Sequence, residues 1–142
     1  DQGWVAWFLA ALVGGKNILV YGDGKQVRDL LYVDDLTRAY ISALDCLDAT
    51  AGHVYNIGGG PANSISVWAE FQPLLAKLTG DEVEAERRDW RPGDQRIFIA
   101  DIDKARCEFG WAPQISVEEG VTRLYEWISD HIDLFKQLRI MS

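Results

Sequence analysis

The chain has 142 residues, a formal net charge of −8, 48% hydrophobic residues and 25% charged residues. These proportions are typical of a globular protein and exclude a disordered chain, a collagen and a coiled coil. The negative charge disfavours binding to nucleic-acid phosphates, and the longest apolar run, residues 5–13, is too short to cross a bilayer. We therefore expect neither a nucleic acid nor a membrane as a partner.

A mass of 16.0 kDa suffices for one hydrophobic core, so residues 1–142 are expected to form a single domain. The two cysteines, Cys46 and Cys107, form no C-x-x-C pair, which predicts free buried thiols in a reducing, cytoplasmic compartment. The two histidines are isolated, so no metal site is expected. Because the single methionine is Met141, we expect the sequence to be a piece of a longer protein.

The first half of the chain alternates helical and extended patterns. Glycine pairs and triplets end several of these patterns, and an aspartate at position 34 or 35 is expected to cap the second helix. The predicted elements are a helix from Trp4 to Leu12, strands over 17–21 and 27–33, a helix over 36–47, and a strand over 53–57.

The second half continues the alternation. Ser66 is expected to cap a helix that Pro73 kinks, and Ser116 with Glu119 forms a capping box before the last helix. The predicted elements are a helix over 66–78, an edge strand over 83–87, a turn over 90–94, an extended run over 97–100, a helix from Asp101 to Gly110, and a last helix with apolar positions from Val117 to Ile132. The fold class is mixed α/β, with helices and short strands that are too few for a complete doubly wound sheet.

Two short motifs resemble parts of a dehydrogenase site but lack its other features. Gly58-x-Gly60 follows a predicted strand, as a dinucleotide loop does, but Asn63 occupies the third glycine position and no acidic ribose ligand follows. Tyr21-x-x-x-Lys25 has the spacing of a catalytic pair but lies on a glycine turn, where the two side chains do not share a helical face. Neither motif is expected to bind a cofactor or to act in catalysis.

Two segments, 21–29 and 89–96, each place an arginine beside a glycine-containing turn. A guanidinium group matches phosphate oxygens two at a time, so Arg28 and Arg91 would suit the two phosphates of a diphosphate. The alternative is that Arg28 pairs with Asp29, and Arg91 with Asp94, as surface ion pairs of little energetic value. Residue types alone favour the ion pairs.

Several stretches of the sequence, taken in order, resemble the C-terminal part of extended short-chain dehydrogenases that act on nucleotide sugars. Within this NAD-dependent epimerase/dehydratase family, D-Q-G-W-V and R-D-W-R-P-G-D-Q-R-I-F-I-A-D-I are most similar to CDP-sugar 2-epimerases. The resemblance covers residues 1 to about 128, and its motifs are D-Q-G-W-V-A-W-F, G-D-G-K-Q-V-R-D-L-L-Y-V-D-D-L, V-Y-N-I-G-G-G, R-P-G-D-Q-R, and F-G-W-A-P followed by E-E-G.

The resemblance implies substrate-binding roles for seven positions. It implies that Arg28 contacts the nucleotide or its phosphates, and that Arg91 and Asp94 contact the diphosphate and ribose. It implies that Tyr21 lies beside the base. The segment with Gln2, Gly3 and Trp4 would pass the phosphates. It also implies that the chain is the sugar-nucleotide-binding region and lacks most of the Rossmann sheet.

The family's N-terminal G-x-x-G-x-x-G and helical Tyr-x-x-x-Lys do not occur in this sequence. The resemblance therefore implies that NAD and the catalytic residues belong to an N-terminal Rossmann domain of a complete enzyme, and that no catalytic residue lies in this part. The expected function is a nucleotide-sugar epimerase of the CDP-sugar 2-epimerase type. A 4-epimerase, a dehydratase, and a non-catalytic nucleotide-binding or interaction module remain alternatives, and a homodimer is left open.

Overall fold

The structure, a computed structural model, describes residues 3–137. These residues form two compact units, one of residues 3–25, 68–94 and 118–137 and the other of residues 26–67 and 95–117. The helices are α1 Trp4–Val13, α2 Val33–Asp45, α3 Leu47–Thr50, α4 Phe71–Thr79, α5 Asp103–Phe109, α6 Val117–Asp130 and α7 Ile132–Gln137. The strands are β1 Ile18–Tyr21, β2 Val27–Asp29, β3 Ser64–Ser66, β4 Ala85–Arg88 and β5 Ile97–Phe98.

The first unit is built on two parallel strands and an aromatic cluster. Strands β1 and β4 pair in parallel, from Ile18 opposite Ala85 to Tyr21 opposite Arg88. Helix α1 contributes Phe8, whose ring lies 5.8 Å from that of Trp68 and 6.2 Å from that of Phe71. These side chains are buried, and their removal from water is the main stabilising contribution in this unit.

The second unit contains a three-stranded mixed sheet in the order β3-β2-β5. Strand β2 runs antiparallel to β3 and parallel to β5. Helices α2 and α5 enclose a small apolar core formed by Ala39, Ile102, Ala105, Phe109 and Trp111. The fold is therefore mixed α/β with short strands, as the sequence predicts.

Asp35 is the central polar residue of the second unit. Its side chain is fully buried, and its two carboxylate oxygens accept hydrogen bonds of 3.0 Å from the backbone N–H groups of Gln114 and Ile115. The same carboxylate forms an ion pair with Arg38 one turn along α2. The prediction that Asp34 or Asp35 caps α2 is wrong, because the helix begins at Val33 and Tyr32 is its capping residue.

Three expected features of the elements are also wrong. The strand predicted over 27–33 ends at Asp29, since α2 already begins at Val33. Ser66 is the last residue of β3, where it pairs with Val27, and α4 begins five residues later at Phe71. Pro73 lies in the first turn of α4 rather than inside a longer helix, and a missing N–H and a fixed φ are tolerated there.

The cysteines correct an expectation about packing, and one tryptophan lies outside the core. Cys107 is exposed rather than buried, while Cys46 is half-buried against the core of the second unit. Trp127 is 49% exposed and stacks on His131 at 4.9 Å, so it is not a core residue, whereas Trp68 and Trp111 are. The predicted last helix is interrupted at His131 and continues as α7.

The buried position of Asp35 leads to a stability prediction. Asp35→Asn replaces one of the two carboxylate oxygens by an N–H₂ group, so one of the two backbone N–H groups loses its acceptor. We expect the free energy of unfolding to fall by about 3 kcal/mol. Denaturant unfolding of this variant is compared with Asp45→Asn, an exposed position of the same helix. The control is expected to stay within about 0.5 kcal/mol of the parent. An equal effect at the two positions would contradict the role given to Asp35.

Candidate functional site

The carboxyl ends of β1 and β4 lie side by side in the first unit, because the strands are parallel and Tyr21 is opposite Arg88. Ligands of open α/β sheets commonly bind just beyond the carboxyl ends of parallel strands. The two segments that the sequence singles out as candidate ligand contacts begin at this edge. One is the turn after Tyr21, and the other is the turn after Arg88.

The first turn, Gly22 to Lys25, is fixed by backbone geometry. Gly22 and Gly24 have φ angles of 73° and 71°, a region that glycine enters without steric cost. Gly22 donates its N–H to the carbonyl of Arg88 at 2.9 Å, and Asp23 accepts the N–H of Lys25 at 3.0 Å through Oδ1. The turn is therefore tied to the end of β4 through one hydrogen bond and to itself through another.

Neighbouring side chains pack directly on these glycines. A Cβ atom at Gly22 would lie 2.7–2.8 Å from three atoms of the Trp90 indole. At Gly24 it would lie 2.5 Å from the Arg87 Nη1 atom and 2.7 Å from the Cβ atom of Trp68. Both glycines are thus required by close approach as well as by φ. Neither Trp90 nor Arg87 is assigned a role from the sequence.

Tyr21 and Arg91, two of the predicted site residues, are in contact. The Arg91 guanidinium carbon lies 3.9 Å from the centroid of the Tyr21 ring, within the range of a cation–π interaction. Arg91 begins the predicted turn, in which Asp94 donates its N–H to the Arg91 carbonyl at 3.1 Å and Gly93 has a φ of 77°. Arg91 is exposed, and its contact with the Tyr21 ring holds its charge at the edge of the strand pair.

Arg28 belongs to the second unit, on strand β2. It donates from Nη1 to the carbonyl of Val27 at 2.8 Å and from Nη2 to the carbonyl of Gln95 at 2.7 Å. Asp29 accepts the N–H of Gly60 at 3.0 Å. The Arg28 side chain is therefore fixed against the start of the segment that leads into β5.

The segment before α1 is described in part. Gly3 is exposed and its carbonyl accepts the N–H of Trp7 at 3.1 Å. Trp4 is half-buried, and its ring lies edge-on to Phe71 at 4.8 Å, so the indole packs on the aromatic cluster. Gln2 lies outside the described residues.

The Gly58–Gly60 loop does not fit the pyrophosphate of a dinucleotide. A Cβ atom at Gly59 would collide with the Leu30 carbonyl oxygen, so this glycine is required by packing of the chain on itself. The N–H of Gly60, which a phosphate would need, is donated to the Asp29 carboxylate. The Gly60 N–H is therefore already engaged within the chain, and the geometry of this loop does not suit a pyrophosphate.

The two arginines that end β4 have different partners. Arg88 forms an ion pair with Glu86 at 2.7 Å, and Arg87 lies against Gly24.

Over residues 3–137, no group of three His, Cys, Asp or Glu side chains is arranged to hold a metal ion. The same part of the chain contains no helix with the length and apolarity to span a bilayer.

The packing of Trp90 on Gly22 gives a matched pair of variants. Gly22→Ala and Gly93→Ala both place a Cβ at a φ near 75°, but only Gly22 has another side chain in the way. We expect each to cost about 1 kcal/mol for its φ, and Gly22→Ala alone to displace Trp90. The shift of the Trp90 indole N–H resonance, assigned with Trp90→Phe, measures the displacement. An unshifted Trp90 resonance in Gly22→Ala would contradict the contact.

Comparison with known proteins places these features in a family. The sequence model of the GDP-mannose 4,6 dehydratase family matches residues 5–124. CDP-paratose 2-epimerase of Salmonella typhi is 37% identical over 134 residues, which are 91% of this chain and 39% of that protein.

Solved structures agree with the sequence comparison. UDP-glucose 4-epimerase of Thermotoga maritima with UDP-glucose is 35% identical, with a TM-score of 0.81 over 92% of this chain and 40% of its own. UDP-glucuronic acid 4-epimerase of Bacillus cereus, in complex with UDP-glucuronic acid and NAD, is 27% identical, with a TM-score of 0.83 and the same coverage. The chain spans about 40% of the length of these relatives. From the family match and these likenesses, the chain belongs to the NAD-dependent nucleotide-sugar epimerase/dehydratase family of extended short-chain dehydrogenases.

Proposed function

We propose that this chain is the nucleotide-sugar-binding part of an NAD-dependent epimerase, with a CDP-sugar as the preferred substrate and inversion at C2 as the preferred reaction. The observation that carries the proposal is the Tyr21–Arg91 contact beside the glycine turn, at the carboxyl end of a parallel strand pair. An aromatic ring next to a fixed guanidinium offers a stacking surface for a base and a charge for a phosphate.

The roles of individual residues follow from the family resemblance and from their surroundings. Arg91 and Asp94 lie on one tight turn, which suits contacts to neighbouring diphosphate and ribose groups. Tyr21 is half-buried with Arg91 over its ring, so part of the ring is available beside the turn. Arg28 is proposed to contact the nucleotide or its phosphates, and Gln2, Gly3 and Trp4 are proposed to lie along the phosphates.

In such an enzyme the residues of this chain supply binding and orientation rather than bond-breaking chemistry. Fixing the diphosphate fixes the position of the attached sugar, which lowers the entropic barrier to reaction at one carbon. Hydride transfer is the chemistry that NAD supplies when bound. Because the Gly58–Gly60 loop does not fit the cofactor, its binding is assigned to the rest of the complete protein.

A cytoplasmic location and a homodimer remain predictions.

The choice of a CDP-sugar 2-epimerase is supported by the Salmonella typhi relative and by the D-Q-G-W-V and R-D-W-R-P-G-D-Q-R stretches. The similarity to UDP-sugar 4-epimerases and the match to a dehydratase family favour a second candidate, a 4-epimerase or dehydratase on the same scaffold. A non-catalytic nucleotide-binding module is the third. All three share the nucleotide-binding surface; the first two differ in the reaction, and the third catalyses none.

Arginine substitutions test the binding surface. In the complete protein, Arg28→Ala or Arg91→Ala removes a charge-assisted hydrogen bond and is expected to weaken nucleotide-sugar binding by about 1.5–3 kcal/mol. Calorimetric titration with CDP- and UDP-sugars measures the loss. Arg123→Ala, which removes an arginine paired with Glu119 on α6, is the matched control and is expected to leave the affinity unchanged. Unchanged affinity in both test variants would refute these assignments.

Product analysis separates the candidate reactions. With CDP-paratose as substrate, the complete protein is expected to form the C2 epimer, and with UDP-glucose it is expected to turn over at least about tenfold less efficiently, which corresponds to about 1.4 kcal/mol of discrimination. Inversion of UDP-glucose at C4, or loss of water from the sugar, would instead support the second candidate. Tight binding of CDP without turnover of any sugar would support the non-catalytic module.

A further inference from the structure

A cleft of about 420 Å³ lies within the second unit. It is bounded by the loop of residues 59–63, by α5, and by the segment of residues 112–116. None of the residues that line it belongs to the candidate site at the end of β1 and β4. Small-molecule sites in proteins have volumes of about 300–1,000 Å³ and combine apolar walls with a few polar groups. The cleft therefore has the size of a site for a small ligand.

The walls of the cleft are largely apolar and fixed in shape. Ile102, at the start of α5, is 8% exposed and packs so closely on Gly60 that a Cβ there would lie 3.0 Å from the Ile102 Cδ1 atom. Pro61 and Ala62 line the cleft from the loop, and Pro113 lines it from the segment before α6. Because proline restricts the backbone on which it lies, these walls suit a rigid apolar ring.

Asn63 brings one hydrogen-bond acceptor to the cleft. The residue is 9% exposed, and its Nδ2 donates to the Ile115 carbonyl at 3.0 Å, which identifies the other end of the amide as the oxygen. Within residues 3–137, this Oδ1 atom accepts no hydrogen bond, and it is not among the fully buried polar atoms. A ligand in the cleft can therefore donate an N–H or O–H to it.

Arg106 brings hydrogen-bond donors and a positive charge to the rim of the cleft. Its Nη2 atom forms an ion pair with Asp103 Oδ1 at 2.8 Å, one turn earlier on α5. The other N–H groups of this guanidinium have no partner among the described residues. A guanidinium fork with donors to spare can bind a carboxylate. Because Asp103 offsets part of the charge, such a ligand must also gain affinity from the apolar walls.

We propose that this cleft binds a small carboxylate that carries an apolar ring and an N–H or O–H donor. The ring packs on Ile102 and the neighbouring prolines, the donor binds Asn63 Oδ1, and the carboxylate binds Arg106. The site is separate from the nucleotide-binding surface, and the inference does not rest on the function proposed above.

Indoleacetate, which has all three features, is the probe for a binding test on the complete protein by saturation-transfer NMR. We expect a Kd of about 1 mM or lower. N-Methylindoleacetate lacks the N–H, and indoleacetamide lacks the charge, so each is expected to bind at least about fivefold more weakly. Equal binding of the three compounds would overturn the proposal, and so would the absence of indoleacetate binding at about 10 mM.

A matched pair of variants on α5 tests the rim. Arg106→Gln removes the charge that lines the cleft, and Lys104→Gln removes a like charge from an exposed position of the same helix that does not line it. Arg106→Gln is expected to weaken indoleacetate binding at least about fivefold, and Lys104→Gln is expected to leave it unchanged. Equal losses in the two variants would overturn the proposal, since the effect would then be one of overall charge.

Competition with CDP separates this site from the nucleotide-binding surface. Saturating CDP is expected to leave the indoleacetate Kd unchanged. Displacement of the probe by CDP would overturn the proposal, because the probe would then occupy the nucleotide-binding surface. If CDP itself does not bind, the function proposed above is contradicted, while the comparison of the three indole compounds still tests the cleft.

Discussion

The buried carboxylate of Asp35 is the interaction on which the second unit most depends. It joins α2 to the segment after α5 through the N–H groups of Gln114 and Ile115, and the Asp35 carbonyl accepts the Trp111 indole N–H at 2.9 Å. A buried carboxylate with fewer partners would destabilise the unit, so the stability of α2 depends on its contacts with this segment. This arrangement fixes the rotation of α2 about its axis. It thereby determines which side of α2 faces the core and which side, with Tyr40 and Leu44, faces outwards.

The candidate site depends on a different constraint, which is the close approach of two turns at the end of β1 and β4. Trp90 packs on Gly22 and Arg87 packs on Gly24, so a side chain at either glycine would displace these neighbours. The Tyr21 ring in turn orients Arg91. The charge and the aromatic ring are therefore positioned before a ligand binds, which reduces the entropy lost on binding.

Local patterns predicted much of this fold, and long-range contacts account for the errors. The helix from Trp4 and the strand ending at Tyr21 follow from apolar periodicity and glycine breaks, and both are confirmed. Asp35 was expected at a helix cap because aspartate is favoured there, but its partners lie about eighty residues away. Such a contact leaves no signal in neighbouring residues. Segment 53–57 has the side-chain pattern of a strand, but it pairs with no strand within the described residues. A side-chain pattern does not reveal whether a backbone partner is present, so the sequence predicts a strand that the structure does not show.

The candidate site likewise combines features that local patterns predict with features that depend on long-range contacts. Arginines beside glycine turns could be identified from residue types, and the structure brings Arg91 onto Tyr21. The contacts of Trp90 and Arg87 with the first turn could not be predicted, because they depend on the parallel pairing of β1 with β4. Residue types alone also favoured a pairing of Arg28 with Asp29, whereas the structure gives Arg28 two backbone carbonyls and gives Asp29 the N–H of Gly60.

A crystal structure of the complete protein with a bound CDP-sugar tests the central claim most directly. The account predicts that the diphosphate lies within hydrogen-bonding distance of the Arg91 guanidinium, and that the base lies beside Tyr21 at the end of β1. A nucleotide bound away from both residues would contradict the account, even if the complete protein were an active epimerase.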